Sequence, residues 1–241
     1  MRILVISDIH GNLAALEAVL TAASGEYDRI WSLGDAVGYG PKPNECLERL
    51  KALDAVAIAG NHEKMAIGEI SLDEFNPVAA AAARWTIDHL SPEMAEYLRQ
   101  MPTRTEDAGA TLVHGTPRRP LWEYLTTAKQ AADNLSRFST QGCAHGHTHI
   151  PVWLSFEGRR LRGGRPSDGL TVPIGRGRFY MNPGSVGQPR DGDPRASYAL
   201  MDIERQVVTY RRAAYDIRET QLLMEQAGLP QPLITRLATG S

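Results

Sequence analysis

Aspartate and histidine recur in this sequence at spacings suited to holding cations. Asp8-Ile9-His10-Gly11-Asn12 follows the apolar run 3–6 after a single serine, so a carboxylate and an imidazole leave the end of one buried strand together. Four further stretches repeat the arrangement. Gly34-Asp35 follows Ile30-Trp31-Ser32-Leu33, and Gly60-Asn61-His62-Glu63 follows the apolar run 55–59. His114-Gly115 follows Thr111-Leu112-Val113, and Gly146-His147-Thr148-His149 follows Cys143-Ala144-His145. The donors of Asp8, His10, Asp35, Asn61, His114, His147 and His149 exceed what one four-coordinate ion can use, whereas two ions sharing a carboxylate would use them all. Such pairs sit about 3.5–4 Å apart and clamp the attacking and leaving oxygens of a phosphoryl displacement. The motifs hold no thiolate. Imidazole with carboxylate and amide suits Mn²⁺, Fe, Zn²⁺ or Co²⁺ rather than a structural zinc site.

The elements that must position these residues follow from the pattern around them. Near-continuous apolar runs read as strands covered on both faces, and sites in open α/β sheets form beyond the carboxyl ends of such strands. Five loops therefore converge on one pocket. Asn12 caps a helix carrying Leu13, Leu16 and Leu20, a second helix is expected over 44–51, and Asn76-Pro77 and Ser91-Pro92 start two more, giving an α-helical hairpin between the third and fourth motifs. From Ile150 onward, short β-like pieces over 152–156, 170–174, 179–182, 197–203 and 207–211, broken by glycine and proline, predict antiparallel strands and hairpins. A helix is expected over 217–227. Two mixed β-sheets packed face to face with helices outside, a four-layer α/β/β/α sandwich, satisfy this order. The whole span 1–241 is expected to form one domain.

Composition narrows the function classes. With 241 residues, 42% of them apolar, the chain can bury one large core, and a net charge of -2 gives no general attraction for nucleic acid or an anionic membrane. Cys46 and Cys143 cannot build a disulfide framework, the N-terminal run is interrupted by Asp8 and His10 rather than shaped as a secretory signal, and no segment is long enough to span a bilayer. A cytoplasmic protein is expected.

The ordered series Asp8-x-His10, Gly34-Asp35-x-x-Gly38, Gly60-Asn61-His62-Glu63, His114-Gly115 and Gly146-His147-Thr148-His149 resembles the calcineurin-like metallophosphoesterase superfamily. Asn182-Pro183-Gly184-Ser185-Val186 looks like a later segment of its short bacterial and archaeal phosphodiesterase branch. The resemblance implies that Asp8, His10, Asp35 and His149 hold one metal, and that Asp35 bridges to a second completed by Asn61, His114 and His147. It implies two divalent ions, manganese first, with Fe, Zn²⁺, Co²⁺ or Ni²⁺ as alternatives. It further implies that a metal-bridging hydroxide is the nucleophile and that His62, not a ligand, stabilises charge and protonates the leaving group. The expected substrate is a small phosphodiester or nucleotide-like molecule.

Two departures stand out. Where many relatives read Gly-Asp-x-x-Asp, with the second carboxylate orienting the active histidine, this chain has Gly38, leaving Glu63, a backbone carbonyl or water for that task. Gly-Asn-His-Glu also occurs in serine/threonine protein phosphatases, but their arginine after the second motif has no counterpart in Ala36-Val37-Gly38-Tyr39-Gly40. Rival readings are a dinucleotide polyphosphate hydrolase, a protein phosphatase, a nuclease, or a non-catalytic scaffold like a retromer subunit of the same superfamily.

Taken singly, Asp8 and Asp35 could cap turns, Asn61 could tolerate left-handed backbone, and His114 could be a satisfied strand-end histidine. Together these readings need five coincidences. His89, on the expected apolar stripe Val78-Ala82-Trp85, reads as structural, and His145 as a packing neighbour of the ligands. Arg118, Arg119, Arg190 and Arg195 are candidates for phosphate contacts. The run of Arg159, Arg160 and Arg162 with Arg165 reads as a charged hairpin tip.

Overall fold

The computed structural model describes residues 1–158 and 160–241. In chain order its elements are β1 (Arg2–Ile6), α1 (Leu13–Ala22), β2 (Arg29–Ser32), α2 (Pro43–Ala52), β3 (Val56–Ala57), α3 (Asn61–Ala66), α4 (Pro77–His89), α5 (Pro92–Gln100), β4 (Arg104–Asp107) and β5 (Ala110–Val113). They continue as α6 (Ala128–Asn134), β6 (Gly142–Ala144), β7 (Val152–Glu157), β8 (Arg160–Gly164), β9 (Thr171–Pro173), β10 (Arg178–Asn182), β11 (Ala196–Asp202), β12 (Val207–Ala213), α7 (Ile217–Gln226) and α8 (Gln231–Arg236). Two mixed six-stranded sheets run β3-β2-β1-β11-β12-β9 and β4-β5-β6-β10-β7-β8. β1, β2 and β3 are parallel in the first, and β5, β6 and β10 in the second.

The period-2 alternation of β1 explains why its sequence is apolar throughout. Ile3 and Val5 enter the core between the sheets with Trp31, Leu33, Leu112, Ala144 and Met181, while Leu4 and Ile6 face the helix layer with Leu16, Val19, Leu47 and Leu50. On the far side, Ala131 and Phe138 cover Val113, Cys143 and Tyr180 of the second sheet. The result is the four-layer sandwich. Truncating Leu4, which is fully buried, to alanine should cost about 2–5 kcal/mol.

The expected caps form. Asn12, Asn76 and Ser91 side chains accept from the backbone N–H of Ala15, Ala79 and Met94. The stripe on α4 lies differently from expectation. Ala79, Ala82, Ala83 and Thr86 are the buried positions, so His89 is exposed, stacked on Trp85 at 4.0 Å with its Nδ1 2.8 Å from the Trp85 carbonyl oxygen. Its role is structural but local to the helix end. Arg160 pairs with Glu157 beside the turn of the β7–β8 hairpin, as expected, whereas Arg162 lies farther along the exposed strand β8 and Arg159 lies outside the described residues.

The helices α7 and α8 pack Met224, Leu233, Ile234 and Leu237 against Ala82 of α4, with Tyr39 on the edge of the same cluster. This packing brings the C-terminal helices beside the loop after β2.

Candidate active site

The loops after β1, β2, β3, β5 and β6 all leave the carboxyl ends of parallel strands, and they bring the seven expected donors together. Asp8, His10 and His149 form one group whose ligand atoms lie within 4.8 Å of one another, and Asp35, His114 and His147 form a second. Asn61, at the start of α3, lines the same pocket. A third grouping on the same criterion joins His62 with His10 and Asp35.

Each aspartate ties one oxygen to backbone and turns the other inward. Asp8 Oδ2 accepts from His147 N at 3.1 Å, and Asp35 Oδ1 accepts from His62 N at 3.0 Å. Asp35 Oδ2 then lies 3.0 Å from His114 Nε2 and 3.8 Å from His10 Nε2, within reach of both groups. The imidazoles are aimed by their other nitrogens. Nδ1 of His10, His114 and His149 meet the carbonyl oxygens of Val37 (3.1 Å), Leu33 (2.8 Å) and Gln188 (2.6 Å). This arrangement points each Nε2 at the cavity, where it can ligate a metal once it carries no proton.

Such crowding needs unusual backbone. Asp8, His10, Asp35, His147 and His149 all have φ between 49° and 68°, in the left-handed region that non-glycine residues seldom occupy. Gly60 makes a different close approach, since a Cβ there would lie 2.2 Å from Asp35 Oδ1.

The electrostatics are those of a nest of bases around two acids. Burial drives His10 and His149 well below their ordinary value and His147 down to about 3. Burial also opposes protonation of His114, but the charge and hydrogen bond of Asp35, with Asp8, raise it to about 10. Burial pushes Asp8 up to about 7, whereas at Asp35 the charges of His114 and His62 overcome burial and hold it well below the carboxylate range. Asp8 Oδ1, Asn61 Oδ1 and His147 Nε2 are fully buried, with no hydrogen-bond partner among the described residues. Buried polar atoms are rarely left unpaired, so donors from three separate loops that point at one place without a partner fit a cation site.

His62 sits at the centre of an aromatic box. Its ring makes edge contacts with Tyr39 (4.5 Å), His10 (4.9 Å) and Phe75 (5.2 Å), and burial lowers it to about 4. Its Nδ1 has no partner among the described residues and faces Gly38, where a Cβ would lie 2.2 Å away. Glu63 does not orient it. That carboxylate instead accepts from the backbone N–H groups of Asp35, Ala36, Val37 and Gly60, clamping the second and third motif loops together.

His145 is buried beside Asn182 rather than among the donors. Asn182 donates to Gly146 O (2.7 Å) and Thr148 Oγ1 (3.1 Å), and Ser185 Oγ donates to Asp8 O (2.7 Å), so this later segment fastens the first and fifth loops. Of the candidate arginines, Arg118 is paired with Glu123, and Arg195 with Asp168 and Asp193. Among the described residues, Arg119 makes only backbone hydrogen bonds and does not line the pocket. Arg190 lines the pocket.

The pocket, about 240 Å³, is walled by Tyr39, Phe75, Trp122 and Tyr124. Tyr124, nearly half exposed, stacks flat on His147 at 4.1 Å. None of these aromatic residues belongs to a motif: Tyr39, Trp122 and Tyr124 follow the second and fourth motifs in their loops, and Phe75 precedes α4, so only the fold brings them to the site. A larger cavity of about 450 Å³, lined by Trp153, Arg162, Arg176 and Arg205 among others, contains none of the donors.

A calcineurin-like phosphoesterase superfamily domain matches residues 1–206. A protein of Methanocaldococcus jannaschii, named only as uncharacterized, is 36% identical over 244 residues, covering 99% of this chain and 98% of its own. The crystal structure of a metallophosphoesterase from Sphaerobacter thermophilus is 50% identical, with a TM-score of 0.92 over 100% of this chain and 99% of that one. A symmetrical bis(5′-nucleosyl)-tetraphosphatase of Chromohalobacter salexigens is 30% identical over 141 residues, or 53% of this chain and 49% of that enzyme. The chain thus spans about half the length of that relative. The chain belongs to the calcineurin-like phosphoesterase superfamily, which places its chemistry among the hydrolases of phosphoesters. Its clustered histidines and aspartates can bind metal.

Proposed function

We propose that this protein is a dinuclear metal-dependent phosphodiesterase, with Asp8, His10, Asp35 and His149 holding one divalent ion and Asp35, Asn61, His114 and His147 the other. The observation that carries the reading is the convergence of seven donors in which Asp8 Oδ1, Asn61 Oδ1 and His147 Nε2 are buried and unpartnered. When bound, the ions supply an activated water nucleophile and neutralise charge on the phosphoryl oxygens. Asp35, with Oδ2 between the two histidine groups, is the shared ligand. Val37, Leu33 and Gln188 hold the imidazoles in the tautomer that leaves Nε2 free to ligate.

His62 lines the pocket, where its N–H donates to a phosphoryl oxygen; the negative charge of the bound phosphate favours its imidazolium form, which would give its extra proton to the departing oxygen and return to neutral imidazole. The aromatic box holds the ring in place without a carboxylate. Tyr39, Phe75, Trp122 and Tyr124 exclude water and offer apolar surface to an organic substituent of the ester. Manganese is the favoured ion. Two buried free cysteines are in keeping with a cytoplasmic setting, and no helix among the described residues is long and apolar enough to cross a membrane.

A second reading, hydrolysis of dinucleotide polyphosphates, is favoured by the likeness to the tetraphosphatase and uses the same site. Turnover of bis-p-nitrophenyl phosphate by manganese-loaded protein tests the first. His62→Asn should leave two equivalents of metal in place and lower turnover by about 10²–10⁴-fold; turnover equal to wild type would remove His62 from the mechanism, and loss of one ion would make it a ligand.

A further inference from the structure

Arg190 and Arg236 share one neutral partner. Gln188 Oε1 accepts from Arg190 Nη2 at 2.7 Å and Nε at 3.3 Å, and from Arg236 Nη1 at 3.3 Å. Both guanidinium groups are half-buried, and among the described residues neither has a carboxylate within 4.0 Å. By contrast, Arg118 in the fourth donor loop is paired with Glu123, and Arg195, farther along the Arg190 loop, with Asp193 and Asp168. Holding two like charges on one amide oxygen is unfavourable unless an anion completes the group. Burial and the charge of Arg190 accordingly weaken the hold of Arg236 on its proton.

The pair is built in, not loosely solvated. Gln188 is 2% exposed; its backbone N–H donates to Ser185 Oγ at 2.8 Å and its carbonyl oxygen accepts from His149 Nδ1 at 2.6 Å, so the residue that gathers the arginines also aims a site histidine. Arg190 N donates to His149 O at 3.2 Å, and its guanidinium lies 5.9 Å from the centroid of the Tyr39 ring at the pocket wall. Arg236 arrives from α8, which is anchored by Leu233, Ile234 and Leu237.

Resting on the phosphoesterase reading above, we propose that Arg190 and Arg236 form a second-phosphate subsite, so that the preferred substrate is a nucleotide carrying at least two linked phosphates rather than a simple monophosphate diester. A monoanionic phosphodiester brings half the charge that two arginines carry, whereas a linked phosphate group beside the one under attack supplies the missing anion. Guanidinium forks match phosphate oxygens in pairs, which suits a chain of phosphates running from the metal donors toward α8.

Titration calorimetry of manganese-loaded protein with AMP and with ADP, manganese in excess over nucleotide, isolates the second phosphate because the nucleoside is the same. ADP should bind at least about tenfold more tightly than AMP, from one or two charge-assisted hydrogen bonds. Arg236→Gln should cut that ratio by about tenfold. Gln188→Glu, which gives the arginines an internal counter-charge, should cut it similarly, and Arg236→Lys should retain most of it. Equal binding of AMP and ADP by wild type, or a ratio unchanged in both Arg236→Gln and Gln188→Glu, overturns the subsite. The same preparations assayed on bis-p-nitrophenyl phosphate report separately on the phosphodiesterase reading, so failure of either claim is distinguishable.

Discussion

Gly38 occupies the position at which many superfamily members carry the carboxylate that orients the active histidine, and here the backbone itself takes that volume. A Cβ built on Gly38 would lie 2.2 Å from His62 Nδ1, 2.9 Å from Cγ and 3.1 Å from Cε1, where ordinary contact begins at 3.4 Å. Relieving the closest contact requires the ring to move by about 1.2 Å, the difference between 2.2 and 3.4 Å. The ring has nowhere to go, with Tyr39, His10 and Phe75 set edge-on around it at 4.5 to 5.2 Å. The φ of Gly38 is +85°, which adds about 1–2 kcal/mol of backbone strain for any L side chain. A displacement of about 1 Å at a catalytic group costs on the order of a hundredfold in rate. Gly38→Ala should therefore lower kcat on bis-p-nitrophenyl phosphate by about a hundredfold while two metal equivalents remain bound, as read by plasma emission spectrometry on the same sample. Gly38→Asp should be impaired at least as much, although it restores the residue common in relatives. Wild-type turnover in either variant would refute the claim that packing, rather than a hydrogen bond, places His62.

Three further outcomes follow from the geometry. Glu63→Gln puts an amide N–H₂ among four backbone N–H donors, and should destabilise the fold by about 3 kcal/mol in urea and weaken metal binding by about 10–100-fold; a stable variant with unchanged metal affinity would show that the clamp is dispensable. Asn182→Ala leaves the N–H of Gly184 without its partner and removes the side-chain donor shared by Gly146 O and Thr148 Oγ1, and should cost about 1–3 kcal/mol, with loss of metal before global unfolding, seen as separate transitions on heating. For metal-free protein the direction with pH is set by His114, which burial lowers but Asp35 and Asp8 together raise to about 10. Its proton is held in the native state and released by the unfolded chain near 6.5, so the stabilisation is complete below that value and lost as pH climbs toward 10. Asp8 and Glu63, each raised to about 7 chiefly by burial, act in the same direction at lower pH, while histidines held low act oppositely only below 6.5. From about pH 7 to 9 the melting temperature of metal-free protein should fall, and metal should abolish the slope because it replaces the proton. A flat metal-free profile contradicts the Asp35–His114 pairing.

Much of this architecture could be read from the chain because local chemistry and global fold agree. Asn12, Asn76-Pro77 and Ser91-Pro92 announce their helices by capping, and the two-sided apolar strands β1 and β2 announce a buried sheet. The expected strand over 55–59 shrinks to Val56–Ala57, half-buried at the sheet edge, because only β2 pairs with it. β4, with the sequence Arg-Thr-Glu-Asp, and the fully exposed β8 carry no apolar alternation and were invisible. They form because backbone hydrogen bonds to β5 and β7 hold them. The spacing of the donors was legible because each sits directly after a strand. What Glu63 does was not, since its four partners come from two loops distant in sequence. Tyr39, Phe75, Trp122, Gln188 and Arg236 meet the site only through tertiary packing, and the left-handed backbone at Asp8, His10, Asp35, His147 and His149 leaves no trace in residue type.

The most direct test is an anomalous difference map from crystals grown with manganese and recorded on both sides of its absorption edge. Two peaks about 3.5–4 Å apart should appear, both touching Asp35, one bounded by Asp8, His10 and His149 and the other by Asn61, His114 and His147. A single peak, two peaks without a shared carboxylate, or density elsewhere on the protein would contradict the two-ion account.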